Sequence, residues 1–302
     1  MKLDGILMAL ATAGVSFALS DQATRGIVPE EVVQARPQPK TTGTIAAKPK
    51  YQPMGAQVVG SLRQPSAARQ VGVTIWRLRP AAPGDAGARI LVQEETKTVE
   101  WVPERISAGS SLAAGDRVRL TVESPEAGYL YVIDRERYAS GERGAPYLIF
   151  PTSRTRNGDN RVTGGKLIDI PAQDDRPNFF SLRRSRPDQS EEELTMLLTT
   201  EPIQDLEIGS TALRLTNEQV AKWEKQWGTG KIEHFELSGG RGKAWTQAEQ
   251  EAAANTTRLL TQEDPPPQTV YRVAVKPGEP FMVKVRLRYS SAARVGGRPG
   301  PL

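Results

Sequence analysis

The sequence predicts a mainly β fold: an antiparallel β-sandwich or barrel-like domain with two short helices. Three observations predict it. Short segments alternate apolar and polar residues with period two, turn residues separate them at regular spacing, and only two stretches carry a helical cap.

The strands begin at VGVTIWRL (71–78), where Val71, Val73, Ile75 and Leu78 are set against polar or aromatic neighbours. ARILV (88–92) and TKTVEWVP (96–103) read as two more. RVRLTVES (117–124) is the clearest case: Val118, Leu120 and Val122 point one way, and Arg117, Arg119, Thr121 and Glu123 the other. Successive side chains of a strand face opposite sides of its sheet, so this pattern predicts one buried and one water-facing side. Pro125-Glu126-Ala127-Gly128 supplies a turn, and YLYVIDRE (129–136) reads as the returning strand. PYLIFP (146–151) is a short apolar run between prolines, fit for a central strand. Asn157-Gly158-Asp159-Asn160 is a turn, followed by strands KLIDIP (166–171) and ELTMLLTTE (193–201). QTVYRVAV (268–275) and FMVKVRLRY (281–289) read as a hairpin-like pair around Pro277-Gly278.

Two helices interrupt this series. Thr216-Asn217-Glu218-Gln219 and Thr246-Gln247-Ala248-Glu249 both have capping-box spacing, in which the Thr hydroxyl takes an orphan amide and the fourth residue reaches back. Val220, Trp223 and Trp227 form one stripe, predicted to pack on the sheet, and Gly228 ends that helix. The second helix is expected to run to about Leu260, before Pro265-Pro266-Pro267.

The ends differ from the middle. Ile6 to Leu19 is a 14-residue uncharged run after Lys2, with Ala18 and Ser20 at the −3 and −1 positions of a cut before Asp21. That layout predicts a secretory signal peptide over residues 1–20, too short to span a bilayer as a helix. Residues 21–70 repeat Pro among Gln, Lys, Thr and Ala and predict a disordered linker. Residues 71–290 form the β-rich domain, and 291–302 a disordered Gly/Pro/Arg tail. Of the +5 total charge, residues 21–70 and 272–302 supply so much that residues 71–271 keep a net −5. The basic character lies in the ends rather than on a folded face, which speaks against nucleic-acid binding.

Composition removes several chemistries. Without cysteine there is no disulfide, thiolate metal site or Cys nucleophile. A single histidine, His234, rules out a histidine metal cluster within one chain. No cofactor and no metal are expected.

GDRVRLTVESPEAGYLYVIDRE, LIFPT, NRVTGGKLIDIPAQDDRPNFF and EELTMLLTTEPI follow one another between residues 115 and 203. In this order they resemble the DUF4384 family, a bacterial domain of unknown function. The likeness covers under a third of the chain, and its motifs are structural turns and strands. It implies a β fold in an exported or surface-associated protein and assigns no catalytic residue.

Arg183, Arg184 and Arg186, beside Phe179 and Phe180, are the first choice for a binding surface, since arginine near aromatics suits stacking and bidentate pairing. Asp169, Asp174 and Asp175, and Asn157, Asp159 and Asn160, offer oxygen ligands without EF-hand spacing and read as polar loops. Glu191-Glu192-Glu193 offers carboxylates for acid–base work, though a charged strand edge is the simpler reading. His234 reads as a partly exposed strand residue, and Tyr129, Tyr131 and Tyr147 as strand packing or a carbohydrate platform. Ser238-Gly239-Gly240 lacks the flanks of a nucleophile elbow, and Gly239-Gly240-Arg241-Gly242-Lys243 lacks phosphate-loop spacing.

The expected function is an exported, periplasmic or cell-surface, non-catalytic module that binds a protein, glycan or other anionic envelope component. A carboxylate-dependent envelope hydrolase and a structural subunit of an envelope assembly are the alternatives. No transmembrane segment is expected after signal cleavage.

Overall fold

The computed structural model describes residues 30–39, 68–94, 97–254 and 256–290. The stretch read as a signal peptide, most of the Pro-rich stretch and the basic tail lie outside the described residues. In chain order come α1 (Glu30–Gln34), β1 (Arg69–Pro80), β2 (Ile90–Glu94), β3 (Lys97–Ile106), β4 (Ser111–Leu112), β5 (Arg117–Glu123), β6 (Gly128–Tyr138) and β7 (Tyr147–Phe150). Then follow β8 (Arg161–Val162), β9 (Leu167–Ile170), β10 (Phe180–Ser181), β11 (Gln189–Thr199), β12 (Leu213–Arg214), α2 (Asn217–Trp227), β13 (Ile232–Glu236), α3 (Gln247–Ala253), β14 (Thr269–Val273) and β15 (Phe281–Tyr289). The protein is mainly β, with two sheets facing one another as a sandwich.

The first sheet runs β10-β5-β1-β14-β13, with the β2–β3 hairpin joined to the far half of β1 and β9 alongside β5. The second runs β12-β7-β6-β11-β15-β4, with β8 on β6. Between them lie the inward residues of the alternating strands, including Val73, Ile75, Leu120, Val122, Val132, Met196 and Val285. Period-two patterning thus builds the sandwich core directly.

Two expected hairpins are corrected. β5 belongs to the first sheet and β6 to the second, and β14 and β15 divide in the same way. The connections 124–127 and 274–280 therefore cross between sheets. Alternation fixes which side chains face the core. It does not distinguish a neighbour beside the strand from one across the core, so both pairs satisfied the pattern. Gly128 is needed where β6 starts, because a Cβ there would stand 2.5 Å from the Thr199 carbonyl oxygen.

The outer faces are covered as well. α2 lies on the second sheet, with Val220 and Trp223 buried against Tyr131, Ile133, Leu197 and Met282. Trp227 stacks on Trp223 with ring centroids 6.1 Å apart. Thr216 caps this helix by accepting from the Gln219 amide. α3 lies over the first sheet, where Trp76, Ile90, Trp245, Ala252 and Leu260 form a separate cluster. Its capping box joins Thr246 and Glu249, but the helix ends at Ala253, short of Leu260.

This cover corrects the water-facing reading of 117–124. Arg119, Thr121 and Glu123 are buried. Each has a partner: Arg119 donates to Asp169 at 3.0 Å, and the Thr121 hydroxyl accepts from the Trp76 indole at 2.7 Å and donates to Asp169 at 2.9 Å. Arg105 pairs with Glu249 of α3 in the same layer. Burying charge is tolerable only with such pairing.

Glu123 receives its cation from an unexpected place. Residues 30–39 fall inside the stretch read as disordered linker, yet they are seated on the domain. Val32 is fully buried, and Arg36 grips Glu123 with two bonds of 2.7 and 2.8 Å. The same guanidinium donates to the carbonyls of Asp264 at 2.9 Å and Pro265 at 3.1 Å. Proline-rich composition suggested no regular structure here, yet the segment forms the short helix α1 (Glu30–Gln34) and is clamped just beyond it by one arginine.

Candidate functional site

A cleft of about 190 Å³ opens where the edges of the two sheets meet. Ile149 of β7 lines it from the second sheet, and Ile170 of β9 and Phe180 of β10 from the first. Phe179 and the loop residues Thr152, Arg154, Thr155, Asp175 and Arg176 complete the wall. The strand residues lie here because β9 and β10 add one after the other along the same edge of β5 in the first sheet.

The floor is apolar and the rim is basic. Phe180 packs against the sandwich core, and Phe179 lies under the Arg117 guanidinium, 4.7 Å from the ring centroid. Arg154 is exposed and makes no ion pair or hydrogen bond among the described residues. Arg176, also exposed, donates only to the carbonyls of Gln173 and Asp175. The Asp175 carboxylate is occupied by the Thr155 hydroxyl at 2.7 Å and the Ala172 amide at 2.9 Å. Two guanidiniums therefore stand at the rim without a carboxylate partner.

The basic patch expected from the sequence is divided. Phe179 and Phe180 line the cleft, whereas Arg183, Arg184 and Arg186 do not. Arg184 donates to the Ser290 carbonyl at 2.6 Å and stacks over Tyr289. Arg186 forks onto Asp188 at 3.1 Å, reaches Glu142 at 2.9 Å and lies 3.9 Å above the Tyr138 ring centroid. Arg183 alone is exposed without a partner among the described residues. The cations that line the cleft, Arg154 and Arg176, were not singled out in the sequence, where Arg156 and the Asp174-Asp175 pair stand close beside them.

The acidic candidates are also dispersed. Asp169 is wholly buried with Arg119; desolvation pushes its carboxyl up, against the pull of that arginine. Asp174 is exposed, and Asp175 ties down its loop. Glu191 and Glu193 point out of the second sheet among Arg137, Lys284, Arg286 and Arg288. Glu192 points the other way. It meets Asp134 and Glu136 of β6 at one end of the sandwich. Burial and the neighbouring acids raise Glu192 to about 8 and Asp134 to about 7. Glu192 Oε1 accepts from the Gln189 amide at 2.7 Å and from the Tyr289 hydroxyl at 3.2 Å, while one oxygen of each acid, Asp134 Oδ1 and Glu192 Oε2, has no hydrogen-bond partner. Asp134 was not singled out in the sequence. Its signal was there: in LYVIDRE it takes the core-facing position that Leu130 and Val132 establish.

The remaining candidates take structural places. Asn160 donates to the Leu130 carbonyl at 3.0 Å, and Asp159 pairs with Arg161 at 2.9 Å. Asn157 sits in the left-handed region at φ 55°, as a turn asparagine can. Tyr131 is buried, with its hydroxyl accepting from the Ile203 amide at 2.8 Å, so the three tyrosines form no common exposed platform. His234 lies on the exposed strand β13, its ring 6.0 Å from that of Tyr271. Among the described residues no group of three or more His, Asp or Glu side chains is placed to hold a metal ion. Among them, too, no helix is long and apolar enough to cross a membrane.

No family model, curated protein or solved structure matches the chain, and the likeness to DUF4384 over residues 115–203 is carried by its motifs alone.

Proposed function

We propose that the chain is a non-catalytic binding module of the bacterial cell envelope that holds an extended acidic protein segment in the Phe179–Phe180 cleft. One observation carries this reading: an apolar floor between two guanidiniums that have no carboxylate of their own. Aromatic and arginine side chains in a recessed site are the usual energetic centre of protein contacts. An apolar anchor of the partner would fill the floor, and flanking Asp or Glu would pair with Arg154 and Arg176.

Labelled hexapeptides with one central Leu or Phe test it by fluorescence anisotropy. Peptides flanked by Glu are expected to bind at least about ten times more tightly than those flanked by Lys, a difference of about 1.4 kcal/mol. R154E/R176E removes that preference without unfolding, since both side chains are exposed. Equal binding of both peptide sets by the wild type would sink the reading.

The envelope assignment rests on residues 1–20, which lie outside the described residues. Mass spectrometry of protein from the envelope fraction is expected to find Asp21 at the N-terminus. Intact protein confined to the cytosol would overturn export while leaving the cleft untouched.

A further inference from the structure

We propose a second binding site, for a phosphate ester, in the groove between β1, the turn after β3 and the loop 238–243. The groove measures about 510 Å³. Arg77, Glu104, Ser107, Ser110, Arg241 and Gly242 are among its lining residues. Its charge is not balanced from within. Arg77 and Arg241 are exposed and have no ion pair or hydrogen bond among the described residues. The Glu104 carboxylate is taken by Arg79 at 2.5 Å, and Arg105 turns away to Glu249 and the Pro266 carbonyl. Two guanidinium forks remain.

Hydroxyls complete the set. Ser107, Ser110 and Ser111 all border the groove, and the Ser110 oxygen is buried with no hydrogen-bond partner. Guanidinium forks and hydroxyl donors together suit an oxyanion with several acceptor oxygens. The space exceeds that of a bare phosphate, so it leaves room for the group that the phosphate esterifies.

The loop itself is Gly239-Gly240-Arg241-Gly242-Lys243, the segment that fell short of phosphate-loop spacing. Its geometry is not that of a nucleotide cradle either. Gly239 and Gly242 have φ of +74° and +78°, and the Gly242 and Lys243 amides are spent on the Arg105 and Gly240 carbonyls. The site therefore works through side chains and takes a simple ester rather than a nucleotide.

NMR titration of the ¹⁵N-labelled protein tests this, using inorganic phosphate, glycerol 3-phosphate and glucose 6-phosphate at fixed ionic strength. The amides of Gly109, Ser110, Ser111 and Arg241 are expected to shift together and saturate. The tighter of the two esters identifies the source as a lipid-type headgroup or a sugar phosphate. R77A/R241A is expected to weaken binding at least tenfold, S110A to weaken it without changing Tm, and R154E/R176E to leave it unchanged. Equal shifts with chloride at the same ionic strength, or wild-type affinity in R77A/R241A, would overturn the site.

Discussion

Replacing Arg36 with alanine lowers the stability of the domain by about 3–5 kcal/mol, the usual cost of leaving one partner of a buried ion pair alone. The side chains of Arg36 and Glu123 are 0% and 2% exposed. In R36A the carboxylate stays buried and loses both strong donors. The carbonyls of Asp264 and Pro265 lose theirs too. For a domain of this size the loss corresponds to a fall in Tm of about 10 °C. The variant R36L/E123L should recover most of it, because both charges leave together and no buried carboxylate remains. Thermal unfolding of the three proteins decides the matter. A fall below about 2 °C in R36A would mean that residues 30–39 contribute little to the folded domain.

Asp134→Asn is expected to stabilise the protein at pH 8 and to have little effect at pH 4. The folded-state value of Asp134, about 7, is above the usual carboxyl range because the group is desolvated and faces Glu136. Glu192 of β11 faces the same space, together with Tyr138, and with Tyr289 beneath Arg184. The fold thus favours the protonated acid. Below the unfolded value of about 4 both states hold the proton and the contribution to stability is fully present. As pH rises through about 7 it is lost. A difference of three units corresponds to up to about 4 kcal/mol, shared with Glu192 because the two acids repel one another. Urea midpoints of wild type and D134N at pH 4, 6 and 8 should diverge progressively with pH. Parallel pH profiles would contradict the assignment.

Much of this fold could be read from the chain. RVRLTVES shows its inward side plainly, and Thr216 and Thr246 mark both longer helices where they begin. The Val220–Trp223 stripe packs on a sheet as its spacing implies. What stayed hidden depends on long-range proximity. The outward side of β5 is buried because residues distant in the chain, such as Trp76 and Asp169, cover it, and no local pattern records that. The same holds for Arg36, whose partner is 87 residues distant. At the candidate site, Phe179 and Phe180, which the sequence offered as neighbours of a basic patch, line a cleft in the structure. The sequence could not show that Arg184 and Arg186 are already engaged, because Ser290 and Glu142 come close only in the folded chain.

The placement of β14 beside β1 has a further meaning for how the molecule is made. Arg69 lies opposite Val273, so the strand that opens the sandwich waits for one of its neighbours until about two hundred more residues have been synthesised. β11 waits likewise for β15. A nascent chain cannot complete either sheet before β14 and β15 have been synthesised. Pairings of such long separation also form slowly, on the millisecond-to-second scale. The two sheets thus share one condition for completion: residues 269–289 must already have been made.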